Sequence, residues 1–255
     1  MIDLKIPNGQ PCWMDLVTSD TDTAVNFYEE VFGWKNHETP PEMQGYRYFT
    51  LDGKSVGGCM QNQPEFGAPN SWSIFLRSDD VRATAAAATA NGGTVLMEPM
   101  DVGENGSFVI VRDAGGAVIS AWQPGTELGF EVLSEVGSPS HFELHTRDYD
   151  KSMAFYKAVF GWTPSVMSDT DDFRYSLSGP QDTAMAGVMD ASAFLPEDVP
   201  AHWSMYLRTD NIDNTLEKAQ KLDAKLVQGP DDTPYGKLVT VADPTGAVFK
   251  LQELP

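Results

Sequence analysis

The chain has 255 residues, 41% of them apolar and 21% charged, which is enough hydrophobic material for packed cores and excludes a disordered chain. Lys and Arg number 17 against 37 Asp and Glu, a net charge of −20, so phosphate backbones and anionic lipid surfaces repel it and nucleic-acid and membrane-surface roles are disfavoured. Two cysteines, Cys12 and Cys59, are too few for a disulfide scaffold or a Cys-rich zinc module, and read as small buried residues in a reducing cytoplasm.

No apolar run approaches the roughly 20 residues that a membrane span needs. Residues 2–9 lack the basic-then-apolar order of a secretory leader. The expected location is therefore cytoplasmic. Residues 13–18 predict a short strand. Residues 22–32 predict a helix, with Ala24, Tyr28 and Val31 on one stripe, Phe27 beside it, and Gly33 as a left-handed C-terminal cap. Strands follow at 46–51 and 55–60, joined by the hairpin signal Asp52-Gly53. A further strand is expected just after Gly33, though little periodicity marks it. The pattern then restarts: a strand at 72–77, and an alanine-rich helix at 81–90 ended by Asn91-Gly92-Gly93. Strands at 95–97, 107–112 and 118–122 complete it, the last two split by the turn Asp113-Ala114-Gly115-Gly116.

The chain then repeats itself. Trp13-Met14-Asp15-Leu16-Val17-Thr18 and Phe27-Tyr28…Val31-Phe32-Gly33-Trp34 recur as His141-Phe142-Glu143-Leu144-His145-Thr146 and Phe155-Tyr156…Val159-Phe160-Gly161-Trp162. Trp72-Ser73-Ile74-Phe75-Leu76-Arg77 recurs as Trp203-Ser204-Met205-Tyr206-Leu207-Arg208, and Asp113-Ala114-Gly115-Gly116 as Asp243-Pro244-Thr245-Gly246. Asp223 stands where the second half should have its helix-ending glycine. Three ordered blocks at nearly one offset predict two homologous domains, 1–132 and 133–255, with the junction near 133–139. Each half reads as strand–helix–three strands, twice, and each is long enough to bury a core of its own. The fold class is α+β.

The motifs Phe-Tyr…Val-Phe-Gly-Trp, present twice, and Asp243-Pro244-Thr245-Gly246 make the chain resemble the vicinal oxygen chelate superfamily of glyoxalase I, bleomycin-resistance proteins and extradiol dioxygenases. The resemblance covers nearly the whole chain and looks most like tandem, two-domain, glyoxalase-like bacterial proteins. It implies that two βαβββ modules pair into one cupped sheet with the ligand inside. Four modules would then give two homologous eight-stranded mixed sheets with flanking helices. It does not settle a reaction, because the fold serves metal enzymes and metal-free binders alike.

The superfamily's enzymes hold a divalent ion with His, Gln or Glu at four strand positions. In the first half these fall on Trp13, Gly57 or Gly58, Ser73 and Ser120, none a usual ligand. In the second they fall on His141, Ala186 or Gly187, Ser204 and Lys250, one plausible ligand facing a cation. No metal ligand and no cofactor is therefore assigned. His141, Glu143 and His145 alternate along one strand, so they share a face. The two histidines lie roughly 13 Å apart at about 3.3 Å per residue, too far for one ion. A neighbouring pair helped by His202 stays open as a weak site.

Alternation also points to the cup linings. Trp13, Asp15, Ser73, Phe75, Ser120 and Trp122 should face into the first cup. His141, Glu143, Ser204, Tyr206 and Lys250, with Gln252 beyond, should face into the second. The aromatics suit either ordinary packing or a pocket wall. Glu143 and Lys250 suit either a structural ion pair or ligand contacts, and His145, near its strand end, reads as solvated. Arg47 and Arg174 occupy matching places and could fork a ligand carboxylate or pair with acidic loops. No nucleophile elbow, P-loop or dinucleotide fingerprint is present.

The expected function is metal-free binding of an organic small molecule in the cups, with the more selective pocket in the second. One alternative is a metal-dependent lyase, isomerase or dioxygenase of glyoxalase I type. A second is a protein-interaction scaffold with decayed pockets. The expected assembly is a monomer whose halves form an internal pseudo-dimer, or a homodimer.

Overall fold

In the computed structural model, residues 2–39, 43, 45–63 and 69–255 are described. The first half runs β1 (Pro11–Thr18), α1 (Thr21–Phe32), β2 (Lys35–Glu38), β3 (Arg47–Leu51), β4 (Lys54–Gln61), β5 (Ser71–Arg77), α2 (Val81–Ala90), β6 (Thr94–Val102), β7 (Gly106–Arg112) and β8 (Val118–Pro124). The second half repeats the order as β9 (Pro139–Thr146), α3 (Tyr149–Phe160), β10 (Ser165–Asp169), β11 (Arg174–Leu177), β12 (Ala186–Asp190), β13 (His202–Thr209), α4 (Ile212–Gln220), β14 (Lys225–Thr233), β15 (Gly236–Ala242) and β16 (Val248–Glu253). Two mixed eight-stranded sheets result, β2-β3-β4-β1-β5-β8-β7-β6 and β10-β11-β12-β9-β13-β16-β15-β14. The α+β class and the pairing of two βαβββ modules into one cupped sheet per half stand as expected. No helix among the described residues is long and apolar enough to cross a membrane.

Local chemistry sets the ends of these elements. Asp20, Asp80 and Asn211 cap α1, α2 and α4 by accepting first-turn backbone N–H groups. Gly33 and Gly161 close α1 and α3 in the left-handed region, at φ 75° and 69°. Asp52 and Gly53, both at positive φ, make the two-residue hairpin between β3 and β4. Asp223 takes the left-handed position, φ 65°, that Gly92 fills at φ 85° in the first half. Aspartate is one of the few residues with a side chain that visits this region readily. One strand is longer than expected: β6 continues past Glu98-Pro99 to Val102, with a register shift between Met97 and Met100. As an edge strand it tolerates the missing proline N–H.

Alternation separates two faces of each sheet. On β1, Cys12, Met14 and Leu16 are fully buried against the helices, while Trp13 and Asp15 point to the opposite side. Phe249 and Leu251 on β16 do the same around Lys250. The expectation of a private core for each half needs correction, because the buried apolar residues form one continuous cluster that includes both helix layers. The rings of Phe27, Tyr28 and Phe32 from α1 pack on Phe249 of the other half. The core is shared because the recurring motifs meet each other across the halves. Tyr28 Oη donates to Asp243 Oδ2 at 3.0 Å, and Tyr156 Oη donates to Asp113 Oδ2 at 2.8 Å. The Trp72 and Trp203 indoles donate in turn to those phenols. Trp34 Nε1 donates to the Gly137 carbonyl and Trp162 Nε1 to the Gly9 carbonyl, each at 2.7 Å. Gly9 must be glycine, since a Cβ there would lie 2.3 Å from the Phe160 carbonyl oxygen.

Removing one phenol strands two buried partners. Tyr156→Phe leaves Asp113 Oδ2 and the Trp203 N–H unpaired, and is expected to cost about 1–3 kcal/mol in urea unfolding. An unchanged urea midpoint would show that this bond does not hold the halves together.

Candidate functional site

Strand register places the second cup's polar residues in three adjacent rows. His141 pairs with Tyr206, which pairs with Lys250. Glu143 is flanked by Ser204 and Gly187. His145 is flanked by His202 and Met189. Every residue expected in this cup therefore reaches one face of three central strands, with Gln252 one step further along β16.

The side chains form a network. Tyr206 Oη donates to Glu143 Oε2 at 2.7 Å. Lys250 Nζ donates to Tyr206 Oη at 3.0 Å and to His145 Nε2 at 2.9 Å, and lies 3.5 Å from Glu143 Oε2. His145 Nε2 is also 2.9 Å from Glu143 Oε2. That nitrogen can accept from the lysine or donate to the carboxylate, so the two arrangements differ in the position of one proton. The Glu143–Lys250 pair foreseen from the sequence is present, but within a four-residue cluster. Burial pushes the Glu143 pKa up. The hydrogen bond from His145 and the cationic charge around it outweigh that and hold the carboxyl far below its ordinary range.

His145 corrects the reading of a solvated side chain: it is buried, and its ring stacks on His202 at 5.2 Å and 11°. Sequence reasoning missed Tyr175. Its phenol meets His141 Nε2 at 2.8 Å. It occupies the space left by Gly187, where a Cβ would lie 2.1 Å from the phenol oxygen. The signal was available, since alternation puts Tyr175 on the face opposite Arg174. Burial lowers the pKa of both His141 and His202, so neutral imidazoles line this cup near neutral pH.

The first cup closes on itself. The Trp13 indole and the Tyr46 phenol both donate to Asp15 Oδ1, at 2.9 and 2.6 Å. A Cβ on Gly58 would strike both Tyr46 and Asp15. Trp13 packs on Tyr48 and Phe130, Phe75 packs on Phe108, and the Trp122 indole donates to the Glu127 carbonyl. Ser120 is fully buried and Ser73 half-buried. Burial raises the Asp15 pKa to about 6 against the pull of Tyr46 and Trp13.

Arg47 and Arg174 are not ligand forks. Arg47 pairs with Asp22 at 2.7 Å, and Arg174 pairs with Asp150 and Asp169 at 2.9 and 2.8 Å. Cys12 and Cys59 are free and buried. Among the described residues no group of three or more His, Cys, Asp and Glu is placed to hold a metal ion. The donor set does not suit one either. Gly187 has no side chain, Ser204 is a weak ligand, and the Lys250 ammonium stands beside the carboxylate where a cation would have to sit.

A family model described as Glyoxalase/Bleomycin resistance protein/Dioxygenase superfamily matches residues 12–120 and 138–251. The "Putative glyoxylase CFP32" of Mycobacterium tuberculosis is 32% identical over 248 residues, 95% of this chain and 94% of its own. The "Anthracycline biosynthesis protein DnrV" of Streptomyces peucetius is 30% identical over 262 residues, 96% of this chain and 94% of its own. The Mn(II)-bound glyoxalase from Novosphingobium aromaticivorans superposes with a TM-score of 0.65 at 16% identity, covering 96% of this chain and 82% of that one. This last likeness is one of fold.

A folded-state pKa of about 6 for Asp15, above its ordinary 3.8, means that the folded protein keeps a proton which the unfolded chain releases within that window. The stability this contributes is fully present below the lower value and is lost as pH rises through the upper one. Asp15→Asn keeps an oxygen for both donors and does not titrate. Relative to the parent it should gain almost nothing at pH 3 and about 2–3 kcal/mol at pH 7. Urea unfolding at several pH values measures this, and a difference independent of pH would refute it.

Proposed function

We propose a function from one premise: this chain belongs to the Glyoxalase/Bleomycin resistance protein/Dioxygenase superfamily. The second cup binds an organic small molecule and does so without a resident divalent metal. The observation that carries this is Lys250. Its ammonium stands at the last-strand position, within 3.5 Å of the buried Glu143 carboxylate and bonded to Tyr206 and His145. A fixed ammonium supplies the positive charge without the ligand set that a metal requires. Specific ligands need a few placed polar groups inside an otherwise apolar cavity, because these set orientation and reject wrong partners. His141, Tyr206, Lys250 and His202 are such a set. In the first cup Asp15 is already taken by Trp13 and Tyr46. The printed names of the two relatives, a glyoxylase and an anthracycline biosynthesis protein, also concern organic small molecules.

Protein purified and dialysed should carry far less than one equivalent of Ni, Zn, Fe or Mn by mass spectrometry, and a stoichiometric transition metal lost in His141→Ala would falsify the metal-free reading. A thermal-shift screen of metabolites identifies a ligand. Glu143→Gln should then weaken its binding about ten- to a hundredfold, as expected when a charged network loses a partner, and Asp15→Asn should leave it unchanged. The opposite pattern would place the binding site in the first cup.

A further inference from the structure

The hydrogen bonds of Lys250 are not those of an ammonium that only balances a charge. Glu143 is the anion beside it, yet Tyr206 bonds that carboxylate at 2.7 Å and His145 lies 2.9 Å from it, while Lys250 Nζ stays 3.5 Å away. The lysine's own hydrogen bonds go to uncharged acceptors, Tyr206 Oη at 3.0 Å and His145 Nε2 at 2.9 Å. The second acceptor is a basic nitrogen, and it is the same nitrogen that faces Glu143 Oε2. An imidazole nitrogen that accepts from an ammonium can take the proton outright, and as an imidazolium it can turn that hydrogen bond to the carboxylate. Lys250 is then left with a free lone pair, and the new charge is paired. The first cup has none of these parts: Ser120 stands in the place of Lys250 and Val17 in that of His145.

Lys250 is also the member of this cluster that reaches open space. Its side chain keeps 16% of its surface exposed, against 5% for Glu143 and 7% for His145. The titratable groups around it come from three strands: His141, Glu143 and His145 on β9, His202 and Tyr206 on β13, and Tyr175 on β11. Its neighbour on β15, Thr240, does not titrate. A lysine in free solution is rarely ready to attack a carbonyl, since with a pKa of roughly 10.4 only about one in 2,500 is unprotonated at pH 7. An acceptor 2.9 Å away changes this, because the proton never has to leave the cluster.

We propose that Lys250 is a nucleophile that captures an aldehyde as an imine, with His145 as the acceptor of its proton. This rests on the reading that the second cup binds an organic molecule, and adds a covalent step to it. Lys250 gives one proton to His145 Nε2, and Glu143 holds the imidazolium. The lone pair on Nζ attacks the aldehyde carbon, forming the C–N bond while the carbonyl π pair moves to oxygen. That oxygen takes a proton from the newly bonded nitrogen and becomes a hydroxyl. The imidazolium then protonates the hydroxyl, the C–O bond breaks and water leaves. The product is a protonated imine on Lys250, which keeps one positive charge beside Glu143, and His145 is neutral again. Lysine amines activated by an adjacent base form such imines, and the step needs no oxidant or reductant.

The test treats the full chain with propanal and sodium cyanoborohydride, which fixes an imine as a stable propylamine, and compares lysines by peptide mass spectrometry after short reaction times. Lys151 and Lys221 are the references, since each is also ion-paired but has a side chain 66% or 70% exposed. At pH 7 Lys250 should be labelled about tenfold faster than either. A purely structural ammonium, less exposed and equally paired, is labelled more slowly than both. From pH 7 to 9 the ratio of Lys250 to the references should fall about tenfold per unit. The references gain free amine at that rate, whereas the transfer to His145 changes no proton count. His145→Gln keeps an acceptor that cannot hold the proton, and should slow the labelling of Lys250 about tenfold or more. Labelling of Lys250 at pH 7 no faster than the references overturns the proposal, as does unchanged labelling in a folded His145→Gln. Should that variant not fold, the parent chain decides alone: a ratio constant from pH 7 to 9 refutes the internal acceptor. A metabolite whose binding is weakened by Glu143→Gln, with no label on Lys250, removes the covalent step and leaves binding in the second cup intact.

Discussion

Two reciprocal hydrogen bonds organise this molecule: the phenol of each half's first helix donates to the turn aspartate of the other half, Tyr28 to Asp243 and Tyr156 to Asp113. A phenol and a carboxyl buried this deeply cannot be left unpaired without a penalty of a few kcal/mol. Neither half can satisfy its own pair. Each aspartate spends its other oxygen holding its turn, accepting from the N–H groups of Gly115 and Ala117 or of Thr245 and Ala247. The turn therefore presents one free oxygen in a fixed direction, and the opposite helix must come to it. Docking by these bonds packs the helix-bearing faces of the two halves together, α1 by α4, α2 by α3 and β5 by β13, and leaves the alternate strand residues, those of the cups, on the opposite faces.

With the frame fixed by motifs that recur in both halves, the cups are free to differ. Asp15 and Glu143 share one strand position and meet opposite electrostatic fates. Asp15 is surrounded by neutral donors, so burial dominates and its pKa rises to about 6. Glu143 is buried as well, but the donors and charge of His145 and Lys250 reverse the sign. One cup thus holds a carboxyl that readily becomes neutral, and the other a carboxylate that its neighbours hold in the charged form. Burial of an ion pair seldom adds stability over an apolar filling. Under the proposed function, the cluster in the second cup serves a bound molecule rather than the fold.

Much of this was legible in the sequence, because period-two alternation and a repeat near 130 residues are local signals. They placed the strands, the helix stop at Gly33, the Asp52-Gly53 hairpin and the facing of His141, Glu143, Tyr206 and Lys250. What escaped was long-range. His145 looked solvated because it sits near a strand end, and only the docking of His202 and Phe194 over it buries it. The shared core escaped for the same reason: Tyr28 and Asp243 are 215 residues apart, and each has an adequate role within its own half. The arginines Arg47 and Arg174 were ambiguous until Asp22 and Asp150, both in helix first turns, proved to be within reach.

The cups differ in what surrounds a tyrosine that, in both, fills the gap above a glycine. Gly58 and Gly187 both leave room for a phenol, and neither would tolerate a Cβ beside it. In the first cup the ring comes from Tyr46, two residues before the Tyr48 that pairs with Gly58. Arriving there, its hydroxyl is 2.6 Å from Asp15 and 3.0 Å from the Trp13 indole, and the three groups close a triangle over the floor. In the second cup the ring comes from Tyr175, two residues before the Leu177 that pairs with Gly187, so it fills the matching place, and its hydroxyl bonds His141. The ring of Phe173 has no hydroxyl and stays outside, stacked on Tyr175. Glu143 is then bonded by Tyr206, His145 and Lys250. The central carboxyl is sealed by neutral donors in the first cup and joined to a lysine in the second because Ser120 stands where Lys250 does, Phe75 where Tyr206 does and Val17 where His145 does.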